Sequence, residues 1–317
     1  MLRSMYSAIS GLRNHQTKLD VIGNNISNVN TYGFKKSRTV FKEMVAQNIG
    51  SASGATATRG GVNPKQVGLG STMAAIDTIH STGALQSTSR TLDLAISGEG
   101  FFMVADSIDA TKTGFTNILF TRDGNFYMDK DGYLVNAEGK YLVGVTAGSA
   151  VGDTSTDPVF PSPDDVEVIT TDDLAGGSVT PATWQELISG KSYGPIRIPT
   201  DATELSIGQD GTVTFVDADG NLKWAGQIVL AKFSNAGGLQ KAGNNYYKLT
   251  ENSGNPYVQV GTVAGLGSIE SGFLEMSNVD LSEEFTEMIV AQRGFQANAR
   301  TITTSDQILE ELVNLKR

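Results

Sequence analysis

"LSEEFTEMIVAQRGFQANARTITTSDQILEELVNLKR", residues 281–317, places Leu281, Phe285, Met288, Gln292, Phe295, Ala299, Ile302, Asp306, Leu309 and Val313 on alternating steps of four and three. That spacing is the a/d seam of an amphipathic helix. Ile289, Ile308 and Leu312 broaden it. Ser282 is the expected cap, and Glu283, Glu284 and Glu287 stand in or near the first turn, where the helix dipole favours anions. Lys316 and Arg317 close the segment with the sign favoured at a C-terminus.

The other end of the chain repeats the pattern. Leu2, Met5, Ile9, Leu12, Gln16 and Leu19 take the same steps, and Ile22 and Ile26 prolong the stripe. An amphipathic helix cannot bury its own seam, so the simplest partner for each terminal helix is the other terminus. Charge agrees: residues 1–28 hold Arg3, Arg13 and Lys18 against Asp20, whereas residues 280–317 hold seven acids against four bases. The alternative is two separate helices lying on the body of the protein.

That body is β-rich. From about Ala75 the period changes to two, in "LDLAISGEGFFMV" (92–104), "FTRDGNFYMDKDGYLVNAEGKYLVGV" (120–145) and "LSIGQDGTVTFVDADGNLKWAGQIVLAKF" (205–233). Asp-Gly or Glu-Gly pairs beginning at 99, 123, 131, 138, 210 and 219 mark hairpin turns that need positive φ. The expected class is therefore α+β, an antiparallel β-rich central domain with the N- and C-terminal helices pairing as a coiled-coil layer. The domains divide as residues 1–30 with 281–317 (terminal helices), 31–75 (a signature stretch and linker), and 76–147 with 196–280 (β core). Residues 148–195, with eight acids, one lysine and five of the eight prolines, read as a small acidic surface insert.

Composition narrows the function. There is no cysteine, which removes disulfides, thiolate metal sites and thiol nucleophiles. The N-terminus lacks the apolar run of about seven residues that a cleaved secretory signal needs. No window approaches the roughly 18 apolar residues of a membrane span, so no membrane insertion is expected. The net charge of −10 is uneven, with residues 1–42 at about +6, but these cations are dispersed and lack interleaved aromatics, which argues against nucleic acid. "DKDG" (129–132) and "DADG" (217–220) bring glycine too early for a calcium loop, and they read as turns. "GEGFF" and "GLGS" lack the strand and helix of a nucleotide site. His15 and His80 stand alone. No catalytic, cofactor-binding or metal-binding constellation emerges, and no enzyme is expected.

The most unusual local composition lies at 24–38, "NNISNVNTYGFKKSR". Asn24, Asn25, Asn28 and Asn30 crowd the end of the first helix before Gly33 and Phe34. Asparagine is a poor helix former that offers both donor and acceptor, so the stretch reads either as a frayed helix end with a capping loop or as a contact surface.

With these features in place, "LDVIGNNISNVNTYGFKKSR" (19–38), "LDLAISGEGFF" (92–102) and residues 272–317 resemble the axial proteins of the bacterial flagellum, the rod and hook family. "TYGFK", "VDLSEEF", "MIVAQRGFQANA" and "LVNLKR" resemble the hook branch, while the shortness of the 148–195 insert is similar to the rod. The resemblance implies a structural subunit of the flagellar hook, a flexible helical homopolymer transmitting torque from basal body to filament, with a distal rod subunit as the alternative. It implies rod, hook-cap and hook–filament junction proteins and the flagellar export apparatus as partners. It also implies a place in the extracellular hook or the basal body, reached without a cleaved signal peptide. Assembly contacts would fall to Leu2, Met5, Ile9, Leu12, Leu19, Asn24, Asn25, Asn28, Asn30, Gly33 and Phe34 at one end. At the other they would fall to Phe285, Met288, Gln292, Phe295, Ile302, Leu309 and Val313.

Overall fold

The computed structural model describes residues 2–56, 58–107, 115–145, 193–263 and 265–315. All but the last three residues of the expected acidic insert, and the terminal Lys316 and Arg317, lie outside them. The described chain gathers into two units, one of residues 1–29, 35–79 and 279–317, the other of residues 30–34 and 80–278.

The first unit carries the two long helices, α1 (Leu2–Ser27) and α2 (Leu281–Asn314). The cap of α2 is Asp280 rather than Ser282: its carboxylate accepts from the amides of Ser282 (2.8 Å) and Glu283 (3.4 Å). A charged acceptor at that position answers both the free amides and the dipole. Against α1 lies an antiparallel pair, β1 (Ser37–Glu43) with β4 (Ser71–Thr78). Between them β2 (Gln47–Gly50) pairs with β3 (Lys65–Val67), and single bridges Ser53–Val62 and Thr56–Arg59 continue the ribbon. The stretch read as linker is thus a hairpin. Its ladder is made by backbone groups, and because both faces of β2 and β3 are largely exposed, no side-chain period announces it.

The second unit is an antiparallel body, as the period of two requires. A 12-stranded sheet runs through β13 (Glu204–Ile207), β14 (Thr212–Val216), β15 (Leu222–Lys232), β11 (Tyr141–Val145), β7 (Phe101–Ser107) and β8 (Phe115–Thr121) to the edge hairpin of residues 240–248. The middle strands are apolar on both faces. Phe102 and Val104 of β7, Leu142 of β11 and Ile228 and Leu230 of β15 face one core, with Leu94, Ile96, Phe126 and Ile196. Phe101 and Met103 of β7, Val143 of β11 and Val229 and Ala231 of β15 face a second, closed by Phe120, Phe233 and Tyr247. Of the six expected turns, the glycines at 100, 132, 139, 211 and 220 have positive φ. Gly124 does not; there the missing side chain serves close approach, since a Cβ would fall 1.6 Å from the Leu94 carbonyl oxygen.

Chain segments leave this unit at 30–34, at 80 and at 278, and all three are tied to Glu275 or its neighbours. Glu275 ends β20 (Phe273–Glu275), which pairs with β5 (Leu85–Ser87). Its buried carboxylate accepts from Arg122 Nη1 (3.3 Å) and from the Gly83 amide (2.9 Å). Its carbonyl accepts from the Gly33 amide (2.8 Å). Met276 donates to the Ala84 carbonyl (2.8 Å), and Asn278 Nδ2 donates to Ser81 Oγ (3.0 Å). Gly33, at φ +67°, leans so closely on the 122–123 backbone that a Cβ would lie 2.7 Å from the Asp123 amide nitrogen. Asn245 Nδ2 holds the Tyr32 carbonyl (2.9 Å).

Arg122 is buried, and its guanidinium also donates to the Gly98 carbonyl (2.9 Å). Replacing Glu275 by Gln leaves this cation without its counter-charge, which costs about 3–5 kcal/mol; urea unfolding followed by circular dichroism should show that loss. Beside it, burial raises the Asp123 carboxyl to about 6, helped by the like charge of Asp93 and opposed by the amides of Gly124 and Asn125. A carboxyl raised above its unfolded value gives stability that is complete below about 3.9 and lost as pH rises through about 6. The wild-type urea midpoint should therefore fall between pH 4.5 and 7.5 by more than that of Asp123→Asn. Parallel curves would mean that Asp123 is already ionised at no cost.

Candidate assembly surface

Four contacts define the pairing of α1 and α2. Gly11 faces Asn298, whose Nδ2 would lie 2.9 Å from a Cβ at Gly11; the His15 ring faces Gly294, with Cε1 2.5 Å from a Cβ there. Lys18 forms an ion pair with Glu287. Asn25 Nδ2 donates to Glu284 Oε2 at 3.2 Å. Each step forward along α1 is a step back along α2, so the helices are antiparallel. Ala8 and Ile22, both buried, share the heptad positions of these α1 residues, and buried Ala291 and Ser305 share those of Glu284 and Asn298.

The contact face is therefore turned by about one residue from the expected seam. On α1 it runs through Ala8, Gly11, His15, Lys18, Ile22 and Asn25, while Met5, Ile9, Leu12 and Leu19 flank it half-buried. On α2 it runs through Glu284, Ala291, Asn298 and Ser305, with Met288, Ile302 and Leu309 half-buried alongside. Phe285, at 50% exposure, and Val313, at 66%, point elsewhere, as do Gln292 and Phe295. Apolar period ranks faces by greasiness alone. Here small residues win, because they let the two backbones approach and let Asn25, Glu284, Lys18 and Glu287 satisfy one another.

What remains outside is apolar. Leu281, Phe285, Ile289, Val290, Ile308, Leu312 and Leu315 are all exposed large side chains, Ile289 at 57% and Leu315 at 82%. Tyr6 of α1 is exposed as well.

The asparagines divide. Asn25 is buried and spent within the chain: it donates to the Ser37 carbonyl (2.8 Å), accepts from the Ser37 amide (3.0 Å) and reaches Glu284. Next to it Lys36 pairs with Glu283 (2.7 Å), and the Ile79 amide donates to the Lys36 carbonyl (2.9 Å). Asn28 Nδ2 donates to the carbonyl (2.9 Å) and Oδ1 (2.7 Å) of Asn24, closing the last turn of α1. The Asn24 and Asn30 side chains face solvent. Gly33 and Phe34 are buried in the second unit, Phe34 beneath the Lys241 ammonium. Sequence reading missed Gly11, Gly294, Arg122 and Glu275. The small or polar residues at 284, 291, 298 and 305 were a readable signal, since they recur every seven positions.

Among the described residues no group of three or more metal-ligating side chains converges, and no helix is long and apolar enough to cross a membrane.

Three family descriptions match successive parts of the chain. Residues 5–35 match "Flagella basal body rod protein", residues 95–215 "Flagellar hook protein FlgE/F/G D1 domain", and residues 270–315 "Flagellar basal body rod FlgEFG protein C-terminal". The flagellar basal-body rod protein FlgG of Bacillus subtilis is 50% identical over 319 residues, covering 100% of both chains. The flagellar hook protein FlgE of Borreliella burgdorferi is 35% identical over 449 residues, again 100% of both. FlgG of the same organism is 33% identical over 320 residues and 100% of both. The chain belongs to the flagellar rod and hook protein family, whose members are structural rather than enzymatic.

Proposed function

We propose that the chain is a subunit of the flagellar axis that joins copies of itself through heterologous contacts into a helical tube, carrying torque outward from the basal body. The observation that carries this reading is the row of large apolar side chains left exposed along α2 after α1 has docked. A helix pair that has met its internal contacts and still shows Phe285, Ile289, Leu312 and Val313 to water has surface to bury against neighbours. Rod, hook-cap and hook–filament junction proteins, and the flagellar export apparatus, are the corresponding partners.

Two segments of the axis fit. The hook reading rests on the short stretches quoted above and on the 35% identity to a hook protein. The alternative, a distal rod subunit, rests on the rod protein that aligns end to end at 50% identity over 319 residues. Electron microscopy of the assembled chain separates them: a curved, bendable tube favours the hook and a straight one the rod.

Phe285→Asp and Val313→Asp test assembly itself. Both sites are exposed in the single chain, so each substitution should change its unfolding free energy by no more than about 0.5 kcal/mol. At a subunit contact the same carboxylate would be buried without a partner, at a cost of several kcal/mol. Stable chains that fail to polymerise in sedimentation assays are expected; normal tubes from both variants would place the contact elsewhere.

A further inference from the structure

His15 is set into the α1–α2 contact in a way that suits only its neutral form. Its ring closes on Gly294 of α2, where no side chain could fit. It stands edge-on to Phe41 of β1, with ring centroids 6.0 Å apart at 72°. Nδ1 is buried and has no hydrogen-bond partner. The charged group acting on it is Lys18, one turn along α1. Glu287, the nearest acid on the facing stretch of α2, is engaged by Lys18. Among neighbouring charges on the facing elements, Arg293 and Lys42 are exposed, and Glu43 reaches toward Gly68.

We propose that His15 is a proton switch on the terminal helix pair, which closes when the imidazole is neutral and opens when it is charged. Protonation adds an N–H where nothing accepts it and a second positive charge one turn from Lys18. Burial first, and Lys18 second, already hold His15 below its ordinary 6.5. For a group lowered in this way the stabilisation is complete above about 6.5 and is lost as pH falls through the lowered folded value. Acid therefore separates α1 from α2. The consequence for polymerisation rests on the assembly reading above, while the opening of the pair does not.

The test uses the full, unpolymerised chain. Its two histidines give two imidazole Hε1 signals by NMR, and His15→Gln identifies the one that belongs to the helix pair. Wild-type His15 should titrate below 6.5. Amide protection across α1, corrected for intrinsic exchange, should fall between pH 7.5 and 5.5, by at most about tenfold. In His15→Gln it should stay constant, and Lys18→Gln should move the transition to higher pH. The switch is overturned if His15 titrates at or above 6.5, if wild type and His15→Gln respond alike to acid, or if α1 is unprotected at pH 7.5. Polymerisation at both pH values is then measured separately: unimpaired tubes at pH 5.5 from a chain whose pair has opened would refute the assembly reading and leave the switch intact.

Discussion

One buried carboxylate governs how the chain travels. Glu275 takes the Arg122 guanidinium and the Gly83 amide on its side chain and the Gly33 amide on its carbonyl. Burying such a pair gains little net stability, because desolvation offsets most of the attraction. What it does is select: the charges are satisfied only when the 30–34 loop, the segment after residue 80 and the end of β20 lie together. Asn25 plays the matching part in the other unit. It is fixed to both backbone groups of Ser37 and to Glu284, beside Lys36, which holds Glu283 and the Ile79 amide. The same three stretches of chain are thus pinned on each side of the points where they pass from one unit to the other.

The helix pair divides its labour by residue size. Small and polar residues meet inside the chain, and large apolar ones remain on the outside. The net charge of −10 opposes premature association of such surfaces, since like-charged chains repel at long range and more weakly as salt screens them.

Much of this was legible. Steps of three and four announced both helices, the switch to a period of two announced the antiparallel body, and in five of the six acid–glycine pairs the glycine has positive φ, although the pair at 99–100 joins no hairpin. The facing of the helices was missed, because apolar periodicity measures how greasy a stripe is and not how closely a neighbour can approach; the signal lay instead in the seven-residue recurrence of small or polar positions at 284, 291, 298 and 305. Gly11 and Gly294 decide that approach, yet on a helical wheel they register only as weak positions. The β2–β3 hairpin was hidden for a related reason: a ribbon exposed on both faces leaves no alternation to read. Arg122 and Glu275 lie 153 positions apart, and nothing local in either sequence neighbourhood names the other. Asn25 was singled out for the correct chemistry, a side chain with donor and acceptor together, but its partners are in its own chain.

The choice of small residues for the internal contact also bears on when the ends become ordered. Burial of apolar surface stabilises by roughly 25 cal/mol per Å², and Ala8, Gly11, Ala291, Gly294 and Ser305 have little surface to bury. The pair is correspondingly weak for its length, and its specific terms, Asn25 with Glu284 and Lys18 with Glu287, fix register more than they add free energy. Large side chains such as Phe285, Ile289 and Leu312 could have supplied a strong hairpin of helices had they faced inward. Facing outward, they leave about half of their own surface unburied among the described residues. On the proposed reading, ordering of the terminal helices and joining of subunits are therefore one coupled transition, since a ligand that binds only the ordered state stabilises it by mass action, and here the ligand is the growing end of the tube.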